Sequence, residues 1–120
     1  MIKDVITISA SDTIQKAAQA MKKHKIGSVI VMDDKNIKGI LTAEDIVYKY
    51  VATGKGALVS DVMATDVVTI SPEKSLADVA KLMMEKNVKK LPVMEKNIMV
   101  GIITATDIMK IEPALYENLL

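Results

Sequence analysis

Cysteine, tryptophan, phenylalanine and arginine are absent from these 120 residues, and each absence removes a class of chemistry. Without cysteine there is no disulfide framework, no thiolate nucleophile and no zinc–thiolate site, which agrees with an intracellular protein. Without arginine all 16 basic residues are lysines. A phosphate would then be met by point charges, main-chain amides or hydroxyls, not by a bidentate guanidinium fork. Three tyrosines are the whole aromatic content, so the core must be built from Ile, Val, Leu, Met and Ala. An excess of either charge is lacking too. The net charge of +1 leaves no long-range field to steer the chain to nucleic acid or an anionic membrane. No apolar run approaches the ~18 residues of a spanning helix, and Met1-Ile2-Lys3-Asp4 lacks the layout of a signal peptide. The expectation is a soluble, cytoplasmic protein whose partners include neither nucleic acid nor membrane.

What the chain does contain is one pattern written twice. Gly39-Ile40-Leu41-Thr42-Ala43-Glu44-Asp45-Ile46 returns as Gly101-Ile102-Ile103-Thr104-Ala105-Thr106-Asp107-Ile108. Thr42 becomes Thr104 and Thr7 becomes Thr69, an offset of 62 residues in both cases. Met21, Val31 and Met32 align with Met83, Val93 and Met94 without a gap. A repeat of this length decides architecture before any other feature. Units of about 60 residues are marginal alone, because so small a chain buries only ~60% of its unfolded surface. The two copies are therefore expected to share one core.

Each copy reads β-α-β-β-α. Val5-Ile6-Thr7-Ile8 is β-branched and extended, and Ser11-Asp12-Thr13 offers helix caps. Ile14, Ala17, Ala18 and Met21 then fall at i, i+3, i+4 and i+7, a single apolar stripe that recurs as Leu76, Val79, Ala80 and Met83. Val29 to Met32 reads as a buried strand, Asp33 to Asn36 as a turn, and Ile37 to Leu41 as a second strand. Thr42 opens a helix through Tyr50, and Pro113 interrupts the last helix before a terminal turn over residues 114–120. Most of the nine methionines are expected at stripe positions, filling gaps in the core. The division expected is 1–51 for the first repeat, 52–58 for a linker, and 59–120 for the second, with a helical turn at Val59 to Met63 leading into it. The equivalent of Ser60 would fall before residue 1, which reads as a trimmed chain or a piece of a longer one.

Two readings of the repeated turn stand side by side. Thr42 and Thr104, each followed three residues later by aspartate, fit a capping box in which hydroxyl and carboxylate satisfy the first helix amides. The other reading is a ligand site. Each turn follows a glycine that removes bulk where a ligand could approach. A carboxylate that only accepts hydrogen bonds can hold the two hydroxyls of a ribose, and free helix amides can meet a phosphate oxygen. Elsewhere the signals are plain. Gly54-Lys55-Gly56 follows a helix and lacks the third glycine of a dinucleotide loop, so it reads as a linker. His24 sits among lysines near a helix end, where it can favour the negative pole of the dipole. Asp33 and Asp34 read as a polar turn.

The ordered, repeated set resembles a tandem pair of cystathionine β-synthase (CBS) domains, a Bateman module. Its carriers are the two turns, Val67-Val68-Thr69-Ile70-Ser71-Pro72 with Ser75-Leu76-x-x-Val79-Ala80, and Leu91-Pro92-Val93-Met94. The resemblance implies an α/β (α+β) fold of two repeats packed about a pseudo-twofold axis into one compact module, with two clefts between them. It implies adenosine-containing ligands: AMP, ADP and ATP, with S-adenosylmethionine or NAD in some members. Carried over residue by residue, the first set is Thr42, Asp45, Val67, Thr69, Val88, Lys89, Lys90 and Pro92. The second is Thr104, Asp107, Val5, Thr7, Ile26, Gly27, Ser28 and Ile30. Lys89 and Lys90 put two ammonium groups in the first set where the second has Gly27 and Ser28, so phosphorylated nucleotide is expected to prefer the Asp45 site.

The function expected is a non-catalytic regulatory sensor, a homodimer acting on an unknown regulated protein, with adenine nucleotide as regulatory ligand and no cofactor or metal. With one histidine, no cysteine and no serine in a nucleophile elbow, no nucleophile–base–orienter set is visible. The alternative is a dimerisation or protein-docking module whose clefts are vestigial.

Overall fold

The computed structural model describes residues 5–116, which divide into two compact units, residues 6–67 and residues 68–116 together with Val5. Met1 to Asp4 and residues 117–120, the latter part of the expected terminal turn, lie outside the described residues.

In the first unit, β1 (Thr7–Ile8) runs parallel to β2 after an intervening helix, α1 (Ile14–His24). Thr13 is the residue that caps α1, its hydroxyl accepting from Lys16 N at 3.1 Å. The apolar stripe faces inward as its spacing requires, with Ile14, Ala17 and Met21 buried. Lys22, Lys23 and His24 fill the last turn, where positive charge suits the helix dipole. Strands β2 (Ser28–Asp33) and β3 (Asn36–Thr42) form an antiparallel hairpin. Its two loop residues, Asp34 and Lys35, have φ of 51° and 66°, as a tight turn matched to strand twist demands.

Thr42 then caps a single helical turn, α2 (Ala43–Asp45). The expected regular helix to Tyr50 is instead a π-helix over Ile46–Val51, with Ala52 N donating to Val47 O at 2.9 Å. The wider turn keeps Ile46 and Tyr50 against the core and leaves Val47, Tyr48 and Val51 exposed. Gly54 and Gly56, at φ of 67° and 98°, turn the chain toward α3 (Val59–Val62).

That short helix packs on residues preceding it. Val59 and Val62 lie in one cluster with Ile14, Ala17, Met21, Val29, Val31 and Leu41. The amides of Val59 and Ser60 donate to Asp12 O and Ala10 O, each at 2.9 Å. Ala64 continues the sheet beyond β3, exchanging two 2.9 Å hydrogen bonds with Ile40. The compact unit thus extends to Val67, past the repeat boundary near residue 59, because the buried valines and four main-chain bonds tie this segment to the earlier copy.

The second unit repeats the plan. Ser75 caps α4 (Leu76–Lys86), which buries Val79, Ala80 and Met83. The helix ends at Asn87 in the left-handed conformation (φ 55°), a residue type that tolerates it. Strands β4 (Lys90–Glu95) and β5 (Ile98–Thr104) pair antiparallel around Lys96 and Asn97, both at positive φ. The counterpart of β1 contracts to one parallel bridge, Ile70 to Val93. After β5 comes a regular helix, α5 (Ala105–Ile111), and Pro113 opens α6 (Pro113–Tyr116) at the position where its missing amide costs nothing.

Among the described methionines Met21 and Met83 are buried, Met63 packs half-buried against the first core cluster, Met32, Met94 and Met99 are half-buried, and Met84 and Met109 are exposed. Among the described residues no helix is long and apolar enough to cross a membrane.

Candidate functional site

Both repeated turns are complete capping boxes. Thr42 Oγ1 accepts from Asp45 N at 3.0 Å, and Asp45 Oδ2 accepts from Thr42 N at 3.1 Å. Thr104 and Asp107 repeat this at 3.1 and 2.9 Å. One oxygen of each carboxylate is therefore turned onto its own backbone. That leaves the second oxygen as the chemistry available to a ligand, since a carboxylate offers about four lone-pair sites. In the first turn Asp45 Oδ1 meets Lys49 Nζ at 3.1 Å. Position 111, which aligns with Lys49, is isoleucine, so the second turn lacks that ion pair.

The floor of each turn is the neighbouring strand. Thr42 is in register with Ser28, and Ala43 N donates to Gly27 O at 2.8 Å. Thr104 is in register with Lys90, and Ala105 N donates to Lys89 O at 2.9 Å. Within its own unit the lysine pair thus borders the second turn. Partial burial lowers the pKa of Lys90, because desolvation disfavours the ammonium form.

Of the first expected set, Thr42, Asp45 and Val67 belong to the first unit, and Thr69, Val88, Lys89, Lys90 and Pro92 to the second. Of the second set, Thr104, Asp107 and Val5 fall in the second unit, and Thr7, Ile26, Gly27, Ser28 and Ile30 in the first. Each turn is therefore grouped with its expected valine, Val67 or Val5. Ile30 and Pro92 are fully buried, whereas Thr7, Gly27, Thr69 and Lys89 are exposed.

Gly39 has a different role from the one read in the sequence. A Cβ there would stand 2.5 Å from Ala64 O and 2.9 Å from Met63 Sδ. The missing side chain admits the following segment's own backbone, not a ligand. No periodicity signals this contact, since its two sides are 24 residues or more apart.

Two grooves have no signature in the sequence. One of about 450 Å³ lies between β1 and α1, lined by Thr7, Ser9, Asp12, Lys16 and Lys23 among others. Its counterpart of about 350 Å³ beside α4 is lined by Thr69, Ser71, Lys74, Asp78 and Glu85 among others. In the first, Asp12 Oδ2 accepts from Ser9 N at 2.9 Å, and Lys16 Nζ stands 3.2 Å from Oδ1. The Ser9 amide foremost, with Lys16, holds the Asp12 carboxyl below its ordinary pKa against the opposing effect of burial.

The CBS-domain family model matches residues 1–52 and again 59–113. A CBS domain-containing protein of Bacillus subtilis, YhcV, is 37% identical over 110 residues, which is 90% of this chain and 79% of that protein. Inosine-5′-monophosphate dehydrogenase of Korarchaeum cryptofilum is 34% identical over 90% of this chain, but the match spans only 22% of the enzyme. Among solved structures, the CBS domain pair of protein MJ0100, in complex with 5′-methylthioadenosine and S-adenosyl-L-methionine, superposes with a TM-score of 0.82. That pair is 30% identical to this chain, covering 91% of it and 92% of its own length. With the motif, the repeated β-α-β-β-α units and these matches in agreement, the chain belongs to the CBS-domain family and carries two CBS domains in tandem.

Proposed function

We propose that this CBS pair is a non-catalytic sensor of adenosine-containing ligands, acting as a homodimer on a protein target. The ligands would be AMP, ADP or ATP first, with S-adenosylmethionine or NAD as further candidates. The observation that carries this reading is the turn built twice with the same atoms: a threonine hydroxyl, a helix start and an aspartate with one oxygen fixed on the backbone. The remaining oxygen would accept from a ribose diol, in the first turn in competition with Lys49 Nζ. Support comes from the MJ0100 pair, whose bound ligands both contain adenosine. The residues assigned to each turn by the family resemblance belong to the proposal, as does the preference of phosphorylated nucleotide for Asp45 through Lys89 and Lys90.

Thermal shift with AMP, ATP, S-adenosylmethionine and NAD tests the reading. At a hundredfold excess over Kd a ligand of the native state adds about 2.7 kcal/mol, which is about 10 °C for a chain of this size. Asp45→Ala is expected to abolish the shift with AMP, while Asp107→Ala retains most of it. No shift with any of the four would overturn the sensor.

The docking-module reading has one observation in its favour. Asp45 already has both oxygens engaged, by Thr42 N and by Lys49. A stable dimer without any thermal shift would establish it instead.

A further inference from the structure

Asp45 and Asp107 hold one carboxylate oxygen alike and differ in what stands beside the other. Oδ2 of each accepts from the amide of its own threonine, at 3.1 and 2.9 Å. Asp45 Oδ1 meets Lys49 Nζ at 3.1 Å, whereas the residue aligned with Lys49 in the second copy is Ile111, an exposed apolar side chain. Lys110, three residues after Asp107, forms no ion pair with it among the described residues. The backbone differs as well. Lys49 lies in the π-helix of Ile46–Val51, its carbonyl accepting from Thr53 Oγ1 at 2.7 Å, while Ile111 ends the regular helix α5. π-turns are rare in proteins and frequent at functional sites. The Asp45 side chain is 15% exposed and that of Lys49 is 53% exposed. The carboxylate is thus sheltered and fixed, and the lysine beside it is free to swing on its stem.

We propose that Lys49 sets the specificity of the first turn, selecting a ribose that carries a phosphate over the uncharged nucleoside. The proposal rests on the sensor reading above and names the ligand class of that same site. An ammonium only donates hydrogen bonds, and a ribose hydroxyl donates when it meets a carboxylate, so both seek the same oxygen. A hydroxyl approaching Asp45 Oδ1 to about 2.7 Å therefore meets an oxygen already engaged. That oxygen has a second lone pair, so the competition is partial, on the scale of one exposed ion pair. For an uncharged nucleoside the weakened pair is a net loss. A phosphate on the same ribose gives the displaced ammonium a new partner, reached on a flexible four-carbon stem. One side chain thereby acts on the two ligands in opposite directions. A merely structural contact would move both affinities the same way.

Calorimetry with adenosine and AMP on an Asp107→Ala background, where the first turn is the intact one, tests this. In Lys49→Ile adenosine is expected to bind about two- to threefold more tightly and AMP about two- to threefold more weakly, each the scale of an exposed ion pair. The preference for AMP then falls about sixfold. Lys49→Arg keeps the charge and is expected to hold the preference to within about twofold. Circular dichroism verifies that each variant folds. Raising salt from about 0.05 to 0.5 M, where the Debye length contracts, is expected to bring the two affinities of the Asp107→Ala protein together, and to do so less in Lys49→Ile.

An unchanged preference in Lys49→Ile, or affinities that move in the same direction, would overturn the specificity role and leave the sensor reading intact. Binding that vanishes with Asp107→Ala would overturn it too, since the first turn then holds no ligand. Absence of binding even in the original protein would overturn the sensor reading along with it.

Discussion

Gly39→Ala distinguishes a glycine kept for the backbone from one kept for a ligand. The added methyl would lie 2.5 Å from Ala64 O, an atom held by main-chain bonds and unable to swing aside. Relief requires the 63–64 segment to withdraw, which breaks the two Ile40–Ala64 hydrogen bonds. Those are worth about 1 kcal/mol each, and overpacking adds about 1–3 kcal/mol. Against this, alanine gains about 0.4–1 kcal/mol by restricting the unfolded chain. The net loss is about 3 kcal/mol. With an unfolding entropy of about 2.1 cal/mol/K per residue, that lowers Tm by about 12 °C. Thermal denaturation followed by circular dichroism measures it directly. Gly27→Ala is the control, because a Cβ there meets nothing within 4 Å and Tm should move by about 2 °C at most. A Gly39→Ala protein that melts within about 3 °C of the original but loses nucleotide affinity would refute the packing argument and return Gly39 to the ligand.

Two further outcomes follow from local geometry. Lys49→Ala frees Asp45 Oδ1 from its ion pair, so calorimetry is expected to show uncharged adenosine binding about two- to threefold more tightly, the scale of an exposed ion pair. An unchanged or weaker affinity would mean that a ribose does not use that oxygen. Asp12, whose folded pKa lies below the ordinary aspartate value, binds fewer protons folded than unfolded in that range. Its contribution to stability is therefore complete above the unfolded pKa and is lost as pH falls through the depressed value. Asp12→Ala should melt earlier than the original at about pH 7, by an amount on the order of one hydrogen bond to a charged group. The gap should close as pH falls through the depressed value; a gap independent of pH would refute the assignment.

Whatever depended on neighbours a few residues apart was legible in the sequence. The stripe of Ile14, Ala17 and Met21, the caps at Thr13 and Ser75, the polar hairpin turns and the helix break at Pro113 all follow from spacing and backbone preference. So did the candidate turns, whose Thr and Asp atoms satisfy helix amides within three residues. The π-helix was not legible, because it depends on how Ile46 and Tyr50 reach the core together.

By itself, then, the order of amino acids determined the duplication, the elements of each copy, the capped turns and the family. Tertiary structure alone decided that residues 59–67 complete the earlier unit, that Gly39 makes room for Ala64, that the lysine pair borders Thr104, and that a groove opens beside each of α1 and α4. The division has one cause. Dihedral preference and periodicity act along the chain, whereas close approach and burial depend on distances in space that spacing along the chain does not encode.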